Sequence, residues 1–557
     1  MIQIIVDKKR ILAKENQTLL EAAREAGIDI PALCYHPDLE VKASCRLCLV
    51  EIKGEKGLQT ACSVKVRAGM EVITDSKDIK RARTINLSMI FNRQPELVEF
   101  ARKYKIKIIK LSPRKEEYPK YNFGPAVLFD TAKCIDCRNC LETCQKQEVS
   151  FFDFVEKETF HPVLPTRDKK RDCVYCGQCV VHCPVGSLVA VSDIANVEKA
   201  LKNKNKIKVA QFAPSIRTSI GEEFGLPAGA IVTGQLAGAI KKLGFDKVLD
   251  TSVGADFTTF EEAQEFVNKL KNKKTPCLSS CCSAWVKFLE FNYPEFIPHI
   301  ATTRSPQMIL GGLIKTFWAE KEKINPKKIV VVSIMPCVAK KYESQRKELE
   351  IKGMKPVDYV LTTRELAKLL KKKKIDLGRI KPEKPADPLG IPSGAGVIYG
   401  ASGGVAESVL RTAYNIMVKG KTPKFEFKAV RGQAEIKKAV LAINGRTIKM
   451  VVVNGLGSAK KILEELKKNP TAYDGVEVMA CPGGCIGGGG QPLPADAKIR
   501  KARASALYTI DARNKIRAAH QNPIVKKVYR DYLTSKEKVR LICHTKYFHK
   551  KREVKLN

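Results

Sequence analysis

The sequence predicts a multidomain protein whose largest part is an α/β domain with parallel sheets over residues 206–495, set behind two smaller cysteine-bearing domains. Three observations predict it. The segments IKVAQFAP (207–214), KIVVVSIMPC (328–337) and IKMVVVNGLG (448–457) are apolar runs of buried-strand length with helical stretches between them. Two cysteine runs of identical spacing lie ahead of them, between residues 128 and 205. Four more cysteines follow a strand, a turn, a second strand and a short helical pattern inside residues 1–78.

The first element is that N-terminal domain. MIQIIVD, a turn, ILAKE and then TLLEAAREAGI suit one helix laid on a small sheet. Its cysteines, Cys34, Cys45, Cys48 and Cys62, have the spacing C-x10-C-x2-C-x13-C. That departs from the plant ferredoxin spacing but keeps a C-x2-C pair with one distant ligand on each side. A structural zinc site is the competing assignment, disfavoured because zinc sites more often use two tight pairs.

Residues 79–127 follow as a linker segment, with neither histidine nor cysteine between Cys62 and Cys134, so nothing in it can hold a cluster. The third element is the doubled run, CIDCRNCLETC with Cys134, Cys137, Cys140 and Cys144, then CVYCGQCVVHC with Cys173, Cys176, Cys179 and Cys183. Each is C-x2-C-x2-C-x3-C, the bacterial ferredoxin spacing, in which the fourth cysteine of one run serves the other cluster. The expectation is two 4Fe-4S clusters, one on Cys134, Cys137, Cys140 and Cys183, the other on Cys173, Cys176, Cys179 and Cys144.

In the α/β domain the loops at strand ends should carry the chemistry, and three of them hold cysteine: SSCCSAW (279–285), IMPCVAKKYE (334–343) and VMACPGGCIGGGGQP (478–492). The third has six glycines and two thiols, a loop whose backbone can press against something large. The turn at Asn454 lacks the third glycine of a dinucleotide fingerprint and reads as a plain strand-to-helix turn.

Bulk properties set the frame. The 19 cysteines of this 557-residue chain are bunched rather than spread, which favours metal ligation in a reducing compartment over a disulfide framework. No apolar run approaches a membrane span, and the start reads as a strand, so a cytoplasmic location and no membrane are expected. The formal charge of +40 counts every thiol as neutral. The basic balance is assigned to steering an acidic protein partner, with nucleic acid not expected.

In that order behind a double ferredoxin run, the three loops closely resemble the signatures of the iron-only (FeFe) hydrogenases, over nearly the whole chain. The resemblance implies an α/β catalytic domain with parallel sheets around an H-cluster, preceded by a β-grasp 2Fe-2S domain and an α+β ferredoxin-like domain. The division implied is 1–78, 79–127, 128–205, 206–495 and a helical tail, 496–557, similar to a subunit that is separate in some members. Cofactors implied are one 2Fe-2S cluster, two accessory 4Fe-4S clusters and the H-cluster, a 4Fe-4S cluster joined to a di-iron centre bearing CO, cyanide and a dithiolate. Partners implied are a ferredoxin or a flavin-containing NAD(P)H-linked subunit, with maturation proteins installing the di-iron centre.

By the same resemblance Cys282, Cys337, Cys481 and Cys485 ligate the H-cluster, with the Cys485 sulfur bridging to the di-iron part. The loop glycines would then leave room for that part. Lys340 is the cationic donor to a cyanide, with Pro214, Ser215, Ser305, Gln307, Met335, Met479 and Tyr399 around the pocket. Cys281 passes protons, relayed by Glu262 and Glu265 with Lys269 on one helical face, and Glu343 lies near Lys340. Four departures stand out: Ser283 where members carry proline, Ala301 where a relay serine is usual, Lys269 for arginine and Tyr399 for phenylalanine. Members with this layout also commonly carry a histidine-and-cysteine 4Fe-4S site in the segment that here has lost its ligands. A hydrogen-sensing relative, or a non-catalytic one of the iron-sulfur assembly type, is the alternative function.

Overall fold

In the N-terminal part, Ile2–Val6 and Lys9–Ala13 form the predicted hairpin at the edge of a five-stranded mixed sheet. Ile2–Val6 also pairs in parallel with Glu71–Ile73, which continues the sheet to Leu49–Ile52 and Gln59–Thr60. The helix Leu19–Glu25 starts at a capping box in which the Thr18 hydroxyl accepts from Glu21 N and the Glu21 carboxylate accepts from Thr18 N. The computed structural model describes residues 1–92, 97–111, 119–155, 163–274, 276–385, 388–418 and 426–556.

The segment expected as a linker is a wedge. It carries the helices Lys77–Phe91 and Val98–Lys103. Their Leu87 and Ala101 share a small core with Leu33, Cys34 and Cys45 of the first domain and with Cys137 and Val185 of the doubled cysteine run. Buried Arg83 donates from Nε to Leu47 O at 3.0 Å and from Nη2 to Leu49 O at 2.8 Å, which fixes the cysteine loop from behind. Residues 93–96 and 112–118 of this segment lie outside the described residues. The boundary set at 127/128 falls inside the strand Val127–Asp130, which pairs with Lys120–Phe123 on one side and Leu188–Ala190 on the other. The ferredoxin-like part therefore takes in residues ahead of 128.

The α/β part has two four-stranded sheets. In the first, Lys247–Asp250, Ile207–Phe212, Ile329–Met335 and Tyr359–Thr362 are all parallel. In the second, Cys277–Leu278, Gly475–Met479 and Arg446–Asn454 are parallel, but Ile436–Ile443 returns antiparallel. The cause is a two-residue turn, Asn444-Gly445, with φ of 50° and 73°, the hairpin geometry that Asn-Gly favours. Parallel strands send their C-terminal ends to one side, where an α/β protein builds its crevice. Pro214 and Ser215, Cys337, Cys281 and Cys282, and Cys481 all follow such ends. The Asn454 turn is a plain strand-to-helix turn: Gly455, at φ 90°, donates to Met479 O at 2.8 Å and leads into the helix Leu456–Lys468.

The tail is part of the body. Val525, Val528, Leu533, Ile542 and Cys543 enter the core of the first sheet. Beyond the helix Lys536–Cys543 the chain runs on as a strap, pairing His544 with Thr303 and ending with Val554 N on Asp172 at 3.2 Å. Among the described residues no helix is long and apolar enough to cross a membrane.

Candidate active site

Among the described residues no cysteine forms a disulfide, and the thiols lie in groups, Cys34 against Cys45, Cys48 against Cys62, Cys134 near Cys137 and Cys183, and Cys144 near Cys176. In the first set, a hydrogen bond from Cys45 holds Cys34 down to about 5 against burial, and one from Cys62 holds Cys48 down to about 7. In the doubled run, burial first, then the Asp136 charge, and then the neighbouring Cys137 and Cys183 push Cys134 well up. Burial, with Cys176 adding, takes Cys144 to about 12. The first set thus already favours thiolate at two positions, while the buried, crowded thiols of the doubled run are unfavourable as bare thiolates until a cationic metal cluster offsets burial and repulsion, so both donor sets fit iron-sulfur centres.

The three loops meet at one cavity, lined by Pro214, Ser215, Cys281, Cys282, Cys337 and Cys485 together with Gln307, Met335, Lys340, Tyr399 and Met479. Burial, with Cys282 adding, raises Cys337 to about 12, and burial with Cys337 and Cys282 raises Cys481 well above the thiol range. Ser215 Oγ and Gln307 Oε1 are buried without a hydrogen-bond partner, two polar atoms with capacity left for a ligand. Soft sulfur walls, four thiols and spare polar groups in an otherwise apolar cavity fit the H-cluster.

Glu343 organises this cavity. It is buried and accepts from Lys340 Nζ at 2.9 Å, Ser283 Oγ at 2.9 Å, Ser305 Oγ at 2.8 Å and Gln307 Nε2 at 3.0 Å. Burial works against the Lys340 charge, yet the Glu343 carboxylate outweighs it and holds the ammonium above its ordinary range. One expectation changes: Ser305 faces Glu343 instead of lining the cavity. Glu343 lies against Lys340, as expected, and positions its ammonium. Ser283 is a further grip on the same carboxylate, which a proline there could not supply.

The loop glycines have a reason within the protein as well. A Cβ on Gly484 would sit 2.6 Å from Ser402 N, one on Gly488 2.3 Å from Pro336 O, and one on Gly489 2.8 Å from Gly177 Cα. They let the loop press against protein backbone. The last contact carries weight because Gly177 follows Cys176, so the active-site loop lies against an accessory-cluster loop. Gln178 Nε2 adds a bond to Gly487 O at 3.0 Å.

On the proton side, burial pushes the Cys281 thiol well up. Burial first, then the Glu265 and Glu477 charges, raise Glu262 to about 8 against the opposing pull of Lys269. Glu262 Oε2 has no hydrogen-bond partner. Glu265 pairs with Lys269 at 3.2 Å and accepts from Thr302 N at 2.9 Å and Thr302 Oγ1 at 3.1 Å. Ala301 is fully buried and offers only a methyl group. Tyr399 Oη, on the cavity wall, accepts from Thr259 Oγ1 at 2.9 Å.

Three features had no signal in the sequence. Asn139 Nδ2 donates to Cys34 O and to His182 O, both at 3.2 Å, tying the first cysteine loop to the second run. Lys287 is fully buried, 3.0 Å from Asp172 and 3.0 Å from Glu553 of the strap, beside Cys173. His544 reaches Thr302 across 242 residues. None belongs to a motif, and each is visible only once distant segments are side by side.

Comparison with known proteins agrees with this geometry. Residues 206–489 match the C-terminal domain of the iron only hydrogenase large subunit, 1–77 a 2Fe-2S iron-sulfur cluster binding domain, 133–187 a 4Fe-4S dicluster domain and 497–550 the iron hydrogenase small subunit. The chain is 37% identical to the NADP-reducing hydrogenase subunit HndD of Solidesulfovibrio fructosivorans, over 99% of this chain and 100% of that one. It is 35% identical to iron hydrogenase 1 of Clostridium pasteurianum, over 98% of this chain and 100% of that one. Among solved structures, a variant of apo [FeFe]-hydrogenase HydA1 from Chlamydomonas reinhardtii aligns at a TM-score of 0.57 with 34% identity, covering 64% of this chain and 99% of that one.

Proposed function

The chain belongs to the iron-only hydrogenase family, and from that premise we propose how its own residues share the work. It is a hydrogenase that interconverts protons and electrons with H2 at an H-cluster, supplied through 2Fe-2S and 4Fe-4S clusters. When bound, the H-cluster supplies the iron site where protons and electrons combine. The observation that carries our reading is the convergence of Cys282, Cys337 and Cys485 with Lys340 on one cavity, with Cys481 buried beside those three thiols.

Those four cysteines would hold the H-cluster, with Cys485 shared with its di-iron part. Lys340, fixed by Glu343, and the spare Ser215 hydroxyl would donate to its ligands, the spare Gln307 Oε1 would accept within the same pocket, and Pro214, Met335, Met479 and Tyr399 would exclude water. Cys281 would hand protons to and from the pocket, with Glu262 and then Glu265 behind it. For electrons, Cys34, Cys45, Cys48 and Cys62 would hold the 2Fe-2S cluster in a β-grasp domain. Its loop is tied by Asn139 to the set Cys134, Cys137, Cys140 and Cys183, and the set Cys173, Cys176, Cys179 and Cys144 abuts the active-site loop. A path through these sets in that order needs no cluster in residues 79–127. The thiol-based ligand sets are the basis for a reducing, cytoplasmic setting, and maturation proteins would install the di-iron part.

We read the electron partner as an acidic redox protein such as a ferredoxin. Arg167, Lys169, Lys170, His549, Lys551 and Arg552 line a groove on the ferredoxin-like part. At its edge the Arg552 guanidinium lies 5.7 Å over the Phe151 ring, and Phe151 N donates to Cys144 Sγ at 3.1 Å. A flavin-bearing NAD(P)H-linked subunit is the second reading, favoured by the similarity to HndD. The test is the double charge reversal Lys169→Glu/Lys170→Glu. It should raise the KM for reduced ferredoxin and leave viologen-driven hydrogen evolution unchanged. An unchanged ferredoxin KM, with a flavoprotein co-purifying, would favour the second reading.

A further inference from the structure

The proton side has an outer branch that the relay Cys281, Glu262, Glu265 does not use. Thr302, directly after Ala301, is exposed and its hydroxyl sits between two partners: Glu265 Oε2 at 3.1 Å and His544 Nδ1 at 2.9 Å. The other ring nitrogen, His544 Nε2, lies 2.9 Å from Glu261 Oε2, and Tyr529 Oη donates to the second oxygen of that carboxylate. The backbone holds this arrangement. Thr545 N donates to Thr302 O at 2.8 Å, Arg304 N to Cys543 O at 2.7 Å, and Arg304 Nε to His544 O at 2.7 Å. The tail is thus laid as a strand along Thr302–Arg304, and the ring cannot leave Thr302 without breaking it. The imidazole edge stays 20% exposed.

We propose that His544 collects protons from solvent for the hydrogenase site, passing them through the Thr302 hydroxyl to Glu265. The transfer balances. A protonated imidazole gives its Nδ1 hydrogen to Thr302 Oγ1, which gives its own hydrogen to Glu265 Oε2; the ring, now neutral with its remaining hydrogen on Nε2, takes the next proton from water or buffer at Nδ1 once the Thr302 hydroxyl has turned back. For hydrogen oxidation the steps run in reverse. The surrounding charges favour this role. The Glu261 and Glu265 carboxylates flank the ring, one directly and one across the Thr302 hydroxyl, while Lys269 is turned away onto Glu265, His299 O and Ile300 O. Imidazole is the side chain whose charge changes most readily at physiological pH.

A collecting group matters because hydronium is scarce. Diffusion-limited capture at about 10⁹–10¹⁰ M⁻¹s⁻¹ from neutral water gives only roughly 10²–10³ protons per second, a rate that overlaps ordinary turnover. Glu265 and Thr302 alone would be held to that ceiling. A partly exposed ring that exchanges protons with buffer lifts it.

This inference rests on the relay reading of Glu262 and Glu265, so the experiment separates the two. In the matured holoenzyme, His544→Gln keeps hydrogen-bonding atoms but cannot carry a proton, and Thr302→Val removes the hydroxyl at constant shape. Both should slow viologen-driven hydrogen evolution by roughly tenfold or more in weak buffer, within the range of proton-transfer contributions. Imidazole added to His544→Gln should restore most of the rate, and Thr302→Ser should behave as wild type. A readout independent of turnover is the carboxyl C=O infrared band after a pH jump, which should rise several-fold more slowly in His544→Gln. If His544→Gln matches wild type in weak buffer and in the pH jump while Glu262→Gln abolishes turnover, the proposal falls and the relay stands. If Glu262→Gln is itself fully active, the relay reading falls with it.

Discussion

Glu262→Gln is the sharpest test of the proton side, because one substitution should move both turnover and the pH dependence of stability. The side chain is buried, one oxygen has no partner, and burial with the Glu265 and Glu477 charges lifts its pKa from 4.5 to about 8. The sign follows directly. The folded protein keeps a proton on Glu262 that the unfolded chain releases near 4.5, so the stabilisation is full below that value and is lost as pH rises toward 8. The slope approaches about 1.4 kcal/mol per pH unit across that window. Glutamine is neutral at every pH and removes it, so the apparent thermal midpoint of the variant should fall less between pH 5 and 8 than that of wild type. At neutral pH the same proton is the one available to Cys281, and its loss should lower hydrogen evolution by about 10²–10⁴-fold. Initial rates with reduced viologen, on protein whose CO and cyanide infrared bands match wild type, give the comparison. Unchanged turnover, or parallel midpoint-versus-pH curves, would refute the placement of Glu262 in the relay.

Three other outcomes are expected. Ala301→Ser supplies the hydroxyl that the resemblance expects of the relay at this position and should speed hydrogen evolution severalfold; no change, with Cys281→Ser inactive, would count against a gap at this position. Lys287→Met strips the cation from buried Asp172 and from Glu553, an uncompensated charge worth about 3–5 kcal/mol, so it should lower the denaturation midpoint and expose the strap to proteolysis. Gly489→Ala must push the active-site loop off Gly177. Its effect should therefore appear as slower electron transfer between the accessory clusters and the active site, read by freeze-quench paramagnetic resonance, with the accessory clusters still assembled.

The sequence made the cluster ligands legible because iron-sulfur centres draw most of their cysteines from one short loop, so Cys134, Cys137 and Cys140 announce themselves by spacing. The parallel strands were legible for a similar reason: strands covered on both faces read as unbroken apolar runs. What stayed hidden joins distant segments. The pairing of Glu343 with Lys340 was within reach at three residues, but Ser283 and Ser305 closing on the same carboxylate was not. The strap carries His544 to Thr302 and Glu553 to Lys287 with no motif, since a lone histidine or glutamate in a basic tail has no local pattern. The antiparallel return at Asn444-Gly445 did have a signal, the Asn-Gly pair between apolar runs, and it lay outside the strands singled out. The glycines of 478–492 show a third kind of limit. Their density announced close approach, but only coordinates reveal that the approaching surface is Pro336, Ser402 and Gly177.

The central claim is that Cys282, Cys337, Cys481, Cys485 and Lys340 build one site for an H-cluster. Infrared spectroscopy of the protein after exposure to the maturation system tests it most directly. The account predicts sharp CO and cyanide bands that vanish in Cys485→Ala, while the accessory-cluster signals persist. A matured protein with its accessory clusters intact and no such bands would contradict it.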